Sequence, residues 1–182
     1  ATVIGVDLLY QGEFLTDGQP IKTQPCLAGE EAFAGWTYCY NLPLFARRVH
    51  DILAVVALAK RNHPKAEIDL VGLDGAGHWV AGAVAQSNGS IVRAAIDTGG
   101  FRFDDLTDVY DPDFMPGAAK YDDLPGLLAL GAPTRLWLAG EGKTAPDIVD
   151  AAYSSCVETQ QVSVFSGKRN DSHSAAVKWL LQ

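Results

Sequence analysis

Apolar residues follow two spacings along this chain, and the switches between them mark out its elements. Residues 2–9 (TVIGVDLL) form a continuous apolar run, which predicts a strand covered on both faces. A polar, glycine-containing stretch follows to about residue 40. At roughly 30 residues it is too long for a routine connection and reads as a functional or packed excursion. Asn41 and Pro43 then mark a helix start with proline in the first turn. Phe45, Val49, Ile52, Leu53 and Val56 recur at helical spacing, so a helix is predicted over 43–60, stopped by His63-Pro64.

The alternation then repeats. Strands are predicted at 68–73, 91–96, 134–139 and 161–165, and helices at 77–85, 122–130, 146–153 and 174–181. Strands alternating with helices imply βα units and a parallel sheet. The predicted fold is a three-layer α/β/α sandwich with a mainly parallel sheet, in one domain over residues 1–182. No repeat, low-complexity tract or domain boundary interrupts it.

Composition narrows the function classes. The chain has 182 residues, 48% of them hydrophobic, enough for a real core. Its net charge of −8 and its lack of basic clusters beyond pairs such as Arg47-Arg48 argue against a nucleic-acid surface. No apolar run reaches the roughly 20 residues that span a bilayer, and the opening Ala-Thr-Val-Ile lacks a basic leader region. Acidic residues gather at Asp104, Asp105, Asp108, Asp111 and Asp113. They read as a solvated loop, because the spacing and closing glutamate of a calcium loop are absent. Cys26, Cys39 and Cys156 have no metal or redox spacing; a Cys26–Cys39 disulfide and three idle thiols both stand as readings. No His/Cys/Asp set has zinc spacing. No metal or cofactor is therefore expected, and cellular location stays open.

Ligands of open parallel sheets sit beyond the carboxyl ends of the strands. Three polar groups fall there: Asp74, the loop Gly140-Glu141-Gly142-Lys143-Thr144, and Asp171-Ser172-His173. Nucleophile, acid and histidine in that chain order make an α/β-hydrolase set. Gly72-Leu73-Asp74-Gly75-Ala76-Gly77 has the layout of a nucleophile elbow, a turn between a strand and a helix.

The chain resembles the C-terminal two thirds of an α/β-hydrolase, of the acetyl-xylan-esterase and dienelactone-hydrolase-like branch. Val6-Asp7-Leu8-Leu9-Tyr10-Gln11-Gly12 is similar to that family's strand leading into an Asp-x-Arg-Gly turn, and Asn41–Lys60 resembles the following helix. The elbow matches Gly-x-Ser-x-Gly-Gly, with Asp74 in place of the nucleophile and Ala76 in place of a glycine. Gly140–Pro146 resembles the acid loop, although the family's acid falls on Lys143. His173 matches the catalytic histidine. The resemblance implies a hydrolase acting on a small-molecule ester or similar substrate, with Asp74 and His173 in its catalytic set and the Gly75 amide as an oxyanion donor; Glu141, in the acid loop itself, is the substitute for the family's acid.

These departures have chemical consequences. A serine needs the histidine to deprotonate it, whereas Asp74 is already ionised. Its attack on an ester gives a mixed anhydride, an unproductive exchange. Its attack on a carbon bearing halide, or on an epoxide, gives an ester that His173 could hydrolyse through water, in a dry pocket walled by Trp79 or Trp36. The plainer alternative makes Asp74 a helix cap. Lys143 would lower the proton affinity of an adjacent imidazole. Asp147 and Asp97 are further acid candidates; Asp97 also reads as a turn residue before Gly99-Gly100. His50 and His63 read as surface or loop residues, and His78 as packed or lining the site. Two phosphate-loop look-alikes fail, because Val80 and Trp137 stand where glycines belong.

By the same resemblance, a strand between 2–9 and 68–73 is missing, and with it the loop that supplies the second oxyanion amide. The chain then reads as a fragment, or as one completed by an N-terminal segment or second chain. Three functions follow: an esterase-like hydrolase of low or no activity, a non-catalytic hydrolase-like binding domain, and an Asp-nucleophile dehalogenase or epoxide hydrolase.

Overall fold

The computed structural model describes residues 2–15, 17–25, 37–156 and 161–182. Four parallel strands, β1 (Asp69–Gly72), β2 (Arg93–Asp97), β3 (Arg135–Ala139) and β4 (Val162–Phe165), lie side by side in chain order. Val71, Ala95, Trp137 and Ser163 share one row of the register. Helices that connect or flank them are α1 (Leu44–Asn62), α2 (Gly77–Gln86), α3 (Asp123–Leu130), α4 (Asp147–Ser154) and α5 (Ser172–Leu180). The predicted helices and the four later strands match these to within about two residues.

Side-chain alternation along the strands divides the core in two. Ala94, Ile96, Leu136 and Leu138 pack with Phe45 and Val49 of α1, Val80 and Val84 of α2, Leu124 and Leu128 of α3, and Val149 and Tyr153 of α4. The opposite row, Ala95, Trp137 and Ala139, packs against Ala176 and Trp179 of α5. Helices thus cover both faces unequally, four against one. Val71, in the same row as Ala95, is 47% exposed, so α5 leaves the β1 end of its face open.

The strand predicted at 2–9 does not form. Residues 2–8 have no regular secondary structure and residues 2–7 are exposed, with Val3 91% accessible. Only Leu8 enters the core, and Leu9 is tied to α1 by its N–H to Asp51 Oδ2 at 3.0 Å and by its carbonyl, which accepts from Arg48 Nε at 3.1 Å. β1 has β2 on one side and, among the described residues, no strand on the other. An apolar run makes a strand only where a neighbour satisfies its backbone groups. Without a neighbour on the sheet, water serves residues 2–7 instead.

Among its described residues, the long excursion before α1 holds a short 3-10 turn, Gly12–Phe14, and helical residues at 37–38. Cys26 and Trp36 lie outside the described residues, and the Trp36 wall with them. Cys39 and Cys156 are free thiols, so the Cys26–Cys39 pairing, one of the two readings, does not form.

Candidate active site

Two glycines let α2 press against the sheet at the elbow. A Cβ on Gly72 would come within 2.7 Å of Val80 Cγ2 and 2.9 Å of the Ala76 carbonyl oxygen. A Cβ on Gly77 would lie 2.7 Å from the Asp97 carbonyl carbon and closer still to its oxygen. Between them the chain reverses through Asp74 at φ +50° and Gly75 at φ +90°. A non-glycine residue in the left-handed region is a strained apex, tolerated best by Asp and Asn. The spacing of small residues around Asp74 thus follows from a tight strand-to-helix turn.

At this apex Asp74 Oδ2 lies 3.1 Å from His173 Nε2. The histidine is the second residue of α5, which brings it to the carboxyl end of the sheet. Both side chains are open to solvent, 72% for Asp74 and 53% for His173. Asp74 is not a helix cap: the cap position of α2 is Ala76, with no side-chain hydrogen bond. The capping reading is therefore replaced by a contact with His173 across the elbow.

Glu141 is not joined to this pair. Its carboxylate, 2% exposed, accepts a fork of bonds from the Arg102 guanidinium, 3.0 Å from Nη1 to Oε1 and a second from Nη2 to Oε2. The Thr98 hydroxyl donates to Oε1 at 2.6 Å. This bidentate pair ties the loop after β2 to the loop after β3. The Glu141 bond raises the proton affinity of Arg102, more than burial lowers it. Among the described residues, Asp74 is the one carboxylate within 4.0 Å of His173. Glu141 as the acid behind His173 is accordingly corrected: Arg102 and Thr98 already hold it. Lys143 is exposed, and Asp97 Oδ1 accepts from the Gly99 N–H at 3.0 Å, the turn role expected of it. The Gly75 N–H has no acceptor among the described residues.

A second polar cluster lies at the first turn of α2, formed by residues at no diagnostic spacing. Asp113 Oδ1 accepts from Trp79 Nε1 at 2.9 Å and Arg48 Nη1 at 3.3 Å. His78 Nε2 stands 3.1 Å from the same oxygen, in ion-pair reach but not aligned for a regular hydrogen bond. His78 is buried, stacked on Phe101 at 4.3 Å between ring centroids, and Arg48 lies over the Trp79 ring at 4.6 Å. The packed reading of His78 is the one that describes it. Burial acts to raise the Asp113 carboxyl, but His78, Trp79 and Arg48 outweigh it and hold it below the usual carboxylate value. Burial lowers the proton affinity of Arg48 despite Asp113.

The acidic stretch is thus not simply a solvated loop. Asp113 is drawn inward, Asp111 Oδ1 accepts from the Asp113 N–H at 2.8 Å, and the Asp104 N–H donates to Asp123 of α3 at 2.9 Å. No group of three or more potential metal ligands forms among the described residues. No helix is long and apolar enough to cross a membrane, again among the described residues.

Set against known proteins, the chain matches no family model, no curated protein and no solved structure.

Proposed function

We propose that this chain is an α/β-hydrolase-type scaffold of the esterase-like kind, with Asp74 at the nucleophile position and His173 at the general-base position. The 3.1 Å contact between His173 Nε2 and Asp74 Oδ2, at a left-handed apex between strand and helix, carries the reading. The substrate is a small-molecule ester or a relative of one. Turnover of carboxylic esters by the chain as it stands is low or nil. A carboxylate attacking an acyl carbon yields an anhydride that collapses back, and Glu141 is committed elsewhere. The Gly75 N–H supplies one oxyanion donor. A segment completing the sheet beside β1, N-terminal or from a second chain, would bring the other.

The engagement of Glu141 with Arg102 and Thr98 favours a second reading, a hydrolase-like domain that binds without catalysis. The exposure of Asp74 speaks against an Asp-nucleophile dehalogenase or epoxide hydrolase, whose chemistry wants a dry pocket.

The test is Asp74→Ser assayed with p-nitrophenyl acetate, beside intact-mass analysis of the wild type after incubation with an ester, a haloalkanoate and an epoxide. Ester turnover gained in Asp74→Ser, and cut at least about 100-fold by adding His173→Ala, is the expected result. No turnover in either form defeats the hydrolase reading and leaves the binding domain. A covalent adduct on wild-type Asp74 would replace the esterase reading with Asp-nucleophile chemistry.

A further inference from the structure

A cleft of about 540 Å³ opens between the loop over residues 10–22 and the Arg48–Asp113–Trp79 cluster. Its polar groups have an unusual balance. Asp113 Oδ1 is occupied by the donors described above, while Asp113 Oδ2 holds no hydrogen bond among the described residues. The same is true of Arg48 Nη2, since the Arg48 Nε and Nη1 bonds go to Leu9 and Asp113. Asp111 and Lys22 line the same cleft. Asp111 Oδ1 is used by the Asp113 N–H, and Lys22 forms no ion pair among the described residues. Two cationic and two anionic side chains therefore meet one opening, beside the apolar Leu15 and Ile21.

We infer that this cleft binds a free α-amino acid with an apolar side chain, as its zwitterion. Arg48 Nη2 and Lys22 take the carboxylate, and Asp113 Oδ2 and Asp111 take the ammonium group. Leu15 and Ile21 meet the side chain. The balance of charge selects this class. The wall's own charges already balance, Arg48 against Asp113 among them, so a lone carboxylate or a lone amine would bring an uncompensated charge into the cleft, which is costly. A zwitterion satisfies both halves, through charge-assisted bonds that exceed those to neutral hydroxyls. The inward anchors are fixed beforehand. Arg48 is clamped by the Leu9 carbonyl, Asp113 and the Trp79 ring, so little freedom is lost when a ligand arrives. The site makes no use of Asp74 or His173, so it stands or falls apart from the hydrolase reading.

The test is titration of the full chain with L-leucine, followed by Trp fluorescence and by ¹H–¹⁵N NMR. Leucinamide (no carboxylate), 4-methylpentanoate (no ammonium) and glucose are titrated in parallel. Saturable binding of L-leucine is expected, with each of the other three at least about tenfold weaker. Asp113→Asn risks the fold, so the rim variants Lys22→Ala and Asp111→Asn carry the mutational arm; the asparagine keeps an acceptor for the Asp113 N–H. Each should weaken L-leucine about tenfold while leaving the folded spectrum intact. No saturable binding of L-leucine overturns the proposal. So does equal binding of leucinamide, 4-methylpentanoate or glucose, or undiminished binding by both rim variants.

Discussion

His173 Nε2 and Asp74 Oδ2 stand 3.1 Å apart, and the residue that holds the carboxylate in place does so at φ +50°. Position and strain come together here. The pair itself is open to water, so it contributes little to stability. The backbone beneath it is where substitutions should register.

Asp74→Gly should leave the protein as stable as the wild type or slightly more so. It relieves a left-handed conformation that costs roughly 1–2 kcal/mol for most residues, against up to about 1 kcal/mol of extra unfolded-state entropy. Asp74→Val, β-branched at the same φ, should lower stability by about 1–3 kcal/mol. Urea denaturation of the three forms checks the order. A valine variant as stable as the wild type would mean that the apex is not held in the left-handed region.

Gly77→Ala should destabilise, by about 1–3 kcal/mol, although alanine in a helix ordinarily gains up to about 1 kcal/mol over glycine. The reversal comes from the Asp97 backbone, whose carbonyl carbon would sit 2.7 Å from the new Cβ. Thermal denaturation decides the sign. A rise in Tm would show that α2 does not seat as closely on the end of β2 as this geometry requires.

The Asp113 cluster should make stability fall in acid. The folded Asp113 carboxyl lies below its ordinary value of 3.8. Its contribution is thus complete above about pH 4 and disappears as pH drops through the folded pKa, where protonation frees Arg48 and His78 from their shared anion. Asp113→Asn should be less stable at pH 7 and should lose less stability than the wild type from about pH 4 downward. Urea midpoints measured through that range provide the check, and parallel slopes for the two proteins would count against it.

Much of the architecture was legible because it is local. Helical spacing in 43–60 and the apolar strands at 68–73, 91–96 and 134–139 follow from periodicity within one element, and each formed. The elbow was legible too, since strand, tight turn and helix are adjacent in the chain. Placing His173 with Asp74 needed only the rule that functional groups collect at the carboxyl ends of parallel strands. Apart from the cap of α2, which falls two residues past Asp74, the failures are non-local. Residues 2–9 have the composition of a strand, but pairing depends on a neighbour that composition does not name. Glu141 looked available because Arg102 and Thr98 lie far back in the chain, at no diagnostic spacing. Asp113 looked solvated because the Arg48, His78 and Trp79 that hold it belong to two helices well upstream.

The side of β1 that has no strand beside it among the described residues bears on how this protein behaves in bulk. Apart from Asp69, which is engaged with Arg93, β1 (Asp69–Gly72) carries no charge, lysine or proline to discourage a second chain from docking along it. The exposed apolar stretch at residues 2–7 is a second adhesive element. What keeps molecules apart is then their mutual repulsion, set by a net charge of −8 at neutral pH. That repulsion vanishes near the isoelectric point of about 4.8, so colloidal stability and fold stability should fail at different acidities, with association setting in before the Asp113 cluster is protonated.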